Sequence, residues 1–590
     1  MCEMKKYPYW ILAAALLVLT VACGPANKVE DPAKTDPKEE QTPVPPQEED
    51  GEKIEGTVIL PENNGAGFVS DAKTGKGIAG VTVTDGYTCV QTDKNGVYQL
   101  KFNSYARVVY VSVPAAYKIP LDEQRHYPQM YKALPVGKSR PVRNDFVLEP
   151  LDKPEKQFTM IMIGDPQCKS SAHVNRYRNE TIEDIKATIA AGQKDGRWLR
   201  PYAMTLGDIV HDKPNLWSDM RNSMANVKVN DEYLPFFQCI GNHDHNATRT
   251  ASDYDATTDF VTNFGPADYS FDRGDVHIVV MDNIVATSSS GSTWSYGAGF
   301  SDAQYEWLKQ DLALVSDKDK RMVFLCCHIP FRNGAASGSG SSVNKDKHYE
   351  DVLKLLTDFH EAHIMIGHTH YAQNWIHTDY ACKGGQPVYE HIHQAACGAW
   401  WSANSSVSGA PNGYNIYEID GASVVDWVNK GTGRPLDYQL RVYDGNQLYS
   451  GTNGYNYNWF LASNIGGEAG ISAPGSPLLK NCFIAEVWDD DSRNVTVELW
   501  QGGKKRGDFT RLDNGTIANI ALTSFWFNEK NKNTATYASK TASHYWFYKP
   551  ETGVPTDVKD WEVRVTRRIP SSGKTHLYTR NDFTVDYSEF

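Results

Sequence analysis

Two runs decide how this chain is read: AMTLGD, Ala203 to Asp208, and LPFFQCIGNHD, Leu234 to Asp244. In each an apolar stretch ends abruptly in Gly followed by Asp or Asn. A buried strand in an α/β sheet reads as a continuous apolar run, and its carboxyl end is where such sheets place chemistry. Asp208 and Asn242 are therefore expected to emerge at strand ends.

The pattern recurs outward from that pair. QFTMIMIG leads into Asp165, RMVFLCC into His328, and AHIMIG into His368, Thr369 and His370. A single GD or HxH is weak, because Gly, Asp, Asn and His are common at turns. Five signatures in order, each behind a hydrophobic run, are specific.

The set resembles that of the calcineurin-like metallophosphoesterases, DxH, GD, GNHD, a lone His and GHxH, over roughly residues 157–401. The resemblance implies two divalent transition metal ions, Mn, Fe, Zn, Co or Ni. Asp165, Asp208 and His370 would hold one, and Asp208, Asn242, His328 and His368 the other, with Asp208 as the bridge. Mixed imidazole and oxygen donors suit such ions better than Ca. Here the His of DxH is replaced by Gln167, which offers a neutral carbonyl oxygen and implies a harder, weaker first site. The resemblance makes His243 a catalytic residue facing the substrate phosphate, with Asp244 holding one of its ring nitrogens. His211 and His245 receive no role, and Arg332 is either a phosphate clamp or a solvated surface residue.

The rest of the chain is read as separate domains. Its 590 residues suggest three or four of them, and 40% hydrophobic residues suffice for real cores. A net charge of -13 argues against nucleic acid as a partner, since phosphate-backbone binders gather Lys and Arg. Residues 1–23 read as an export signal, with Lys5 and Lys6 before an apolar run too short for a comfortable span. They resemble a bacterial lipoprotein signal with Cys23 as the lipidated residue, although Thr20 stands where Leu is usual; plain secretion or an uncleaved anchor is the rival. That resemblance implies a membrane-anchored location, periplasm-facing or at the cell surface. Residues 24–53, rich in Pro, Lys and Glu, read as a solvated tether.

Residues 54–152 alternate in short strands, with DKNG as a hairpin turn, and resemble the small all-β sandwich of carboxypeptidase-regulatory-like modules. Between the strands of 157–401 lie helical faces: Ile182, Ile185 and Ile189; Tyr305, Leu308 and Leu312 behind a Ser301/Gln304 capping box; Val352, Leu355, Leu356 and Phe359. Alternating strands and helices imply a layered α/β core, which the family resemblance makes a four-layer β-sandwich. Asn263 to Asn283 reads as a hairpin and a strand, with His277 as a sheet residue. Residues 333–344 form a Gly/Ser/Ala-rich loop, a substrate lid or an unconstrained insertion. Residues 402–590 read as a C-terminal β-rich domain, and GAWW with the two strands after it resembles the domain that accompanies one branch of these enzymes. Eight cysteines besides Cys2 and Cys23 contain no CxxC pair, so neither zinc finger nor disulfide framework is indicated.

The expected function is hydrolysis of a phosphorylated small molecule, glycan or protein. Monoesterase, diesterase and nucleotide-sugar pyrophosphatase remain open, as does the oligomeric state. A rival of another class is a surface binding lipoprotein whose phosphoesterase core is degenerate.

Overall fold

The computed structural model describes residues 52–135, 142–246, 248, 252–286, 295–332, 347–406, 408–446, 481–488, 491, 493–511, 545–584 and 586–590. Cys23, with the export signal, and the loop 333–344 lie outside the described residues. Lys53, expected to end the tether, instead opens a short strand, Lys53–Ile54, paired with Thr57–Val58.

Two sheets packed face to face form the centre. In the first, Gln157–Ile163 lies parallel to Pro201–Leu206, which lies parallel to Phe236–Cys239. The other edge of Gln157–Ile163 pairs antiparallel with Gly413–Asp420, followed by Ser423–Gly431. The second sheet runs Tyr269–Arg273, Val276–Val280, Met322–Cys326, Glu361–Ile366, Pro387–Ile392, Gln373–Ala381, with parallel pairing through its middle. Tyr269–Arg273 and Val276–Val280 are the hairpin expected within Asn263 to Asn283.

Strand periodicity builds the layers. Along Gln157–Ile163, Phe158, Met160 and Met162 enter the apolar cluster shared with the second sheet. Ile161 and Ile163 point the other way, onto Val174, Ile185, Ile189 and Trp198 of the helical layer. The side-chain period of two thus makes one strand serve two cores. Helix Glu183–Lys194 buries Ile185 and Ile189 as expected, after a π-helical turn over Tyr177–Ile182. Helix Asp302–Leu314 carries the anticipated capping box from Ser301 and Gln304. Helix Tyr349–Leu356 stops short of Phe359 and buries Leu353 rather than Leu355; Phe359 remains in the core from the turn beyond. Cys239, Cys326 and Cys327 are buried free thiols within strands or at their ends, as small apolar residues.

The N-terminal sandwich has two sheets, one built around Gly65–Asp71 and the other around Thr82–Thr84 and Val108–Val111. Its core, including Val69, Val83, Tyr98, Val109 and Leu148, is continuous with that between the central sheets. Buried Arg273 ties the two together by donating to the carbonyls of Pro114 and Tyr117. The C-terminal β-domain packs two four-stranded sheets around its own cluster of Leu440, Phe483, Val497, Leu499 and Val563. Polar contacts with the centre include Lys574 and His576 on Asp426 and Arg567 on the carbonyl of Trp427, beside a buried apolar cluster of Tyr438 and Trp488 with Ala372 and Ala410. The first central sheet draws its last two strands from beyond residue 401, so GYNIYEIDG pairs directly into the core.

Candidate metal centre

Five parallel strands drawn from both sheets end at one place. Ile163 leads to Asp165, Leu206 to Asp208, Cys239 to Asn242, Cys326 to His328, and Ile366 to His368 and His370. The turns that carry these side chains are contorted. Asp165 (φ 41°), Gln167 (40°), Asp208 (50°), His368 (69°) and His370 (60°) all occupy the left-handed region. Each costs roughly 1–3 kcal/mol and persists only where the surroundings over-determine it. Here they do: the Asp165 carboxylate accepts the His368 N–H at 2.9 Å, Asp208 Oδ1 accepts the His243 N–H at 2.8 Å, and the Gln167 N–H donates to the Asp208 carbonyl at 2.6 Å. Glycine is obligatory beside them. A Cβ on Gly207 would lie 2.5 Å from His328 Nδ1, and one on Gly241 would lie 2.0 Å from the Asp208 nitrogen.

On one side of Asp208 the donors are all lone pairs. His328 Nδ1 donates to the Leu206 carbonyl at 2.7 Å, which leaves Nε2 as the acceptor of the neutral ring. That Nε2 faces Asn242 Oδ1 at 3.1 Å, Asp208 Oδ1 at 3.3 Å and His368 Nδ1 at 3.3 Å. With the His368 proton on Nε2, four acceptor atoms converge in this buried space, an arrangement that a cation between them would satisfy. Burial pulls the His328 pKa down, but the Asp208 charge more than reverses this and raises it to about 9, so a proton would do part of a cation's work.

On the other side lie Asp165, Gln167, Asp208 Oδ2 and His370. His370 Nε2 is 3.4 Å from Asp165 Oδ1, and Gln167 Nε2 donates to Asp208 Oδ2 at 2.8 Å. The remaining amide atom, Gln167 Oε1, is buried without a hydrogen-bond partner. An orphaned buried carbonyl oxygen is costly and needs a reason. Turning the amide over would aim it at the same space as the carboxylate, tolerable only around a positive ion.

The catalytic histidine expected from the sequence is held differently. Asp244 does not touch the His243 ring: its carboxylate points inward and accepts the N–H groups of Ile209, Val210 and Gly241. It locks the GD and GNHD turns to each other, because three otherwise orphaned backbone donors outcompete one ring nitrogen. His243 Nδ1 is instead 3.0 Å from Asp212 Oδ2, and its ring stacks on His211 at 4.2 Å and 15°. Burial lowers the His243 pKa, the Asp212 hydrogen bond and the Asp208 charge raise it more, and it reaches about 9. Sequence reasoning left His211 unassigned and overlooked Asp212; the HD that follows GDIV in the same turn was the available signal. His245 is buried, its nitrogens 2.9 Å from the Gly241 carbonyl and 3.1 Å from Asp282. The Arg332 guanidinium lies over the Trp375 ring at 5.8 Å.

Among the described residues, two Asp/His clusters can hold a metal: Asp208 with His328 and His368, and His211 with Asp212 and His243. They are consistent with a binuclear divalent metal site, and a two-sheet α/β sandwich with such a site defines a class of binuclear metallohydrolase. Comparison with known families agrees. Residues 158–372 match the calcineurin-like phosphoesterase family, residues 64–151 the N terminal of calcineurin-like phosphoesterase, and residues 390–571 its C terminal. The chain is a calcineurin-like metallophosphoesterase superfamily protein with N- and C-terminal accessory domains, an architecture that supports hydrolase activity. Solved structures with similarity include a purple acid phosphatase from yellow lupin (Lupinus luteus) seeds, at 15% identity and TM-score 0.31, covering 47% of this chain and 54% of that one. Another is the NAD nucleotidase of Haemophilus influenzae, at 11% and 0.25, covering 46% and 49%. The chain thus spans about half the length of these structures. No curated protein matches it.

Proposed function

We propose that the protein is an exported, lipid-anchored bacterial enzyme that hydrolyses phosphate esters at the cell envelope. The observation that carries the chemistry is the convergence of Asp208, Asn242, His328 and His368 around one point, with the orphaned Gln167 oxygen on the far side of the same carboxylate. We assign the second cation to Asp165, Gln167, Asp208 and His370. We leave the His211, Asp212 and His243 cluster to the substrate side, because Asp212 already engages His243 Nδ1 at 3.0 Å and the two rings are stacked on each other.

Two divalent cations, when bound, lower the pKa of a water and offset the charge of the phosphoryl oxygens. The chain supplies the rest. Asp208, buried and gripped by the His243 N–H, presents one oxygen to each side. His328 is fixed in one tautomer by Leu206, and the strained turns hold every donor in place before substrate arrives. His243 has Nδ1 engaged by Asp212, so Nε2 is the nitrogen available to protonate the departing oxygen.

The export assignment rests on the sequence of residues 1–23. Among the described residues no helix is long and apolar enough to cross a membrane. One experiment tests both parts: wild type and Cys23→Ala are fractionated, then purified for metal analysis and for assay on monoesters, diesters and pyrophosphates. The expected result is about two transition ions per chain, turnover of at least one ester class, and loss of membrane partition in Cys23→Ala only. A metal-free protein without turnover overturns the enzyme, and unchanged partition overturns the anchor.

A further inference from the structure

Two aromatic rings border the metal centre, and the phosphoryl chemistry uses neither. Tyr296 opens the strand Tyr296–Ala298, which pairs with Ile284–Ala286. Its ring meets His368 edge-on at 6.4 Å and 84°, yet the residue is 37% exposed, one of few large apolar side chains so open among the described residues.

Trp400 is the second ring, 4.9 Å from His370. It is presented by a strained backbone: Trp400 (φ 49°) and Trp401 (φ 64°) are consecutive non-glycine residues in the left-handed region. Such strain is retained where a side chain must be aimed. Trp401 is the anchor of the pair. Its Nε1 donates to the Pro166 carbonyl at 2.9 Å, between Asp165 and Gln167, and Arg176 lies over its ring at 5.0 Å. With Trp401 pinned to the DPQ turn, Trp400 is thrown against the metal centre. One ring thus stands against each histidine of the GHTH turn.

We propose that Tyr296 and Trp400 form an aromatic subsite that selects phosphate esters whose leaving group carries a flat ring, as in nucleosides and aryl alcohols, over esters of open-chain or simple sugar alcohols. This rests on the phosphoesterase reading above. A partly exposed ring at the rim of the centre gives the planar part of a bound ester a stacking surface. The gain does not depend on ring identity, because every base has a π-face. Stacking is worth about tenfold to a hundredfold per ring lost, by the usual effect of alanine substitution.

The test uses AMP against ribose 5-phosphate, which share a leaving oxygen and differ by the base, with phenyl phosphate as the aryl arm. In the metal-loaded full chain, Tyr296→Ala and Trp400→Ala should each lower the ratio of kcat/KM for AMP over ribose 5-phosphate by about tenfold to a hundredfold, mainly through KM. Tyr296→Phe and Trp400→Phe, which keep a ring, should restore it to within about threefold, by the same reasoning. An unchanged ratio in both alanine variants overturns the subsite, as does a parallel loss on both esters with metal released. Calorimetric titration of the wild type separates this from the reading beneath it. AMP binding more tightly than ribose 5-phosphate without turnover of either keeps the subsite and sinks the phosphoesterase. Equal binding sinks the subsite whatever the turnover.

Discussion

His277 and His328 are both fully buried histidines of the same sheet layer, and their surroundings are opposite. His277 sits between Asp272, 2.8 Å from Nδ1, and Asp311, 2.9 Å from Nε2, so both nitrogens find a carboxylate within the protein. Arg321 backs Asp272 at 3.0 Å and Ser270 backs Asp311 at 2.8 Å, which completes the node. His328 has one nitrogen satisfied by a carbonyl and the other turned into a group of acceptors. The first node is electrically closed by its own side chains. The second has a single carboxylate, Asp208 at 3.3 Å, which it shares with Asn242 and His368 around one point, and that convergence distinguishes a candidate ligand from a structural histidine.

The contrast is broken most sharply at Asp208. Asp208→Asn keeps the size but removes the charge that the proposed mechanism shares between both cations. Turnover should fall by at least about 10³-fold with metal content reduced, since charge stabilisation by the ions is the main catalytic term. Near-normal turnover at ordinary metal concentration would put the active site elsewhere.

The two aspartates around His243 give the next largest effect. Asp212→Asn should cost about tenfold to a hundredfold in kcat on alkyl phosphates, with folding stability and metal content retained. Asp244→Asn should instead lower stability by about 1–3 kcal/mol, because it weakens a buried carboxylate that accepts three N–H groups. Chemical denaturation and steady-state kinetics on the same samples decide between them. Equal stability losses would contradict the separation of roles.

At His277 the effect is on folding and depends on pH. Burial disfavours its charge, Asp311 and Asp272 more than restore it, and the pKa is raised from its ordinary 6.5 to about 9. A raised folded-state pKa gives stability that is fully present below about 6.5 and lost as pH climbs through about 9. Wild type should therefore lose about 1–3 kcal/mol between those limits, as urea unfolding measures it. His277→Gln should show a shallower slope than wild type and keep its metal, the remainder coming from His243 and His245, which are raised to the same range. A variant with the same slope as wild type would remove His277 as the cause.

Gln167→His should have the smallest effect. It leaves the fold intact and moves metal preference toward borderline ions such as Zn, because imidazole replaces an amide oxygen. An identical metal profile by elemental analysis would show that position 167 touches no ion.

The centre was legible because its residues sit immediately after apolar runs, where strand burial and strand ends are written into a few consecutive letters. Asp165, Asp208, Asn242, His328, His368 and His370 all follow such runs and the structure brings them together, while the ligand roles expected of them came from the family resemblance. What could not be read was the outer ring of contacts. Whether Asp212 or Asp244 reaches His243 depends on a turn whose direction is set by a left-handed residue at Asp212 (φ 52°), and four letters do not encode it. The sheet to which GYNIYEIDG belongs was equally hidden, for alternation names a strand and not its neighbour.

That neighbour governs how the enzyme comes into being. Gln157–Ile163 carries the first ligand turn, and its second edge is covered by Gly413–Asp420, with Gln157 bonded to Asp420 across 263 positions. Until that late segment has been synthesised and delivered, a central apolar strand presents a bare row of amide and carbonyl groups, the kind of template on which chains pair with one another. So distant a closure is slow, because the loop entropy is lost before the contacts reward it. The phosphoesterase core therefore matures late, and a nascent or clipped chain ending near residue 401 is a seed for aggregation rather than a smaller enzyme.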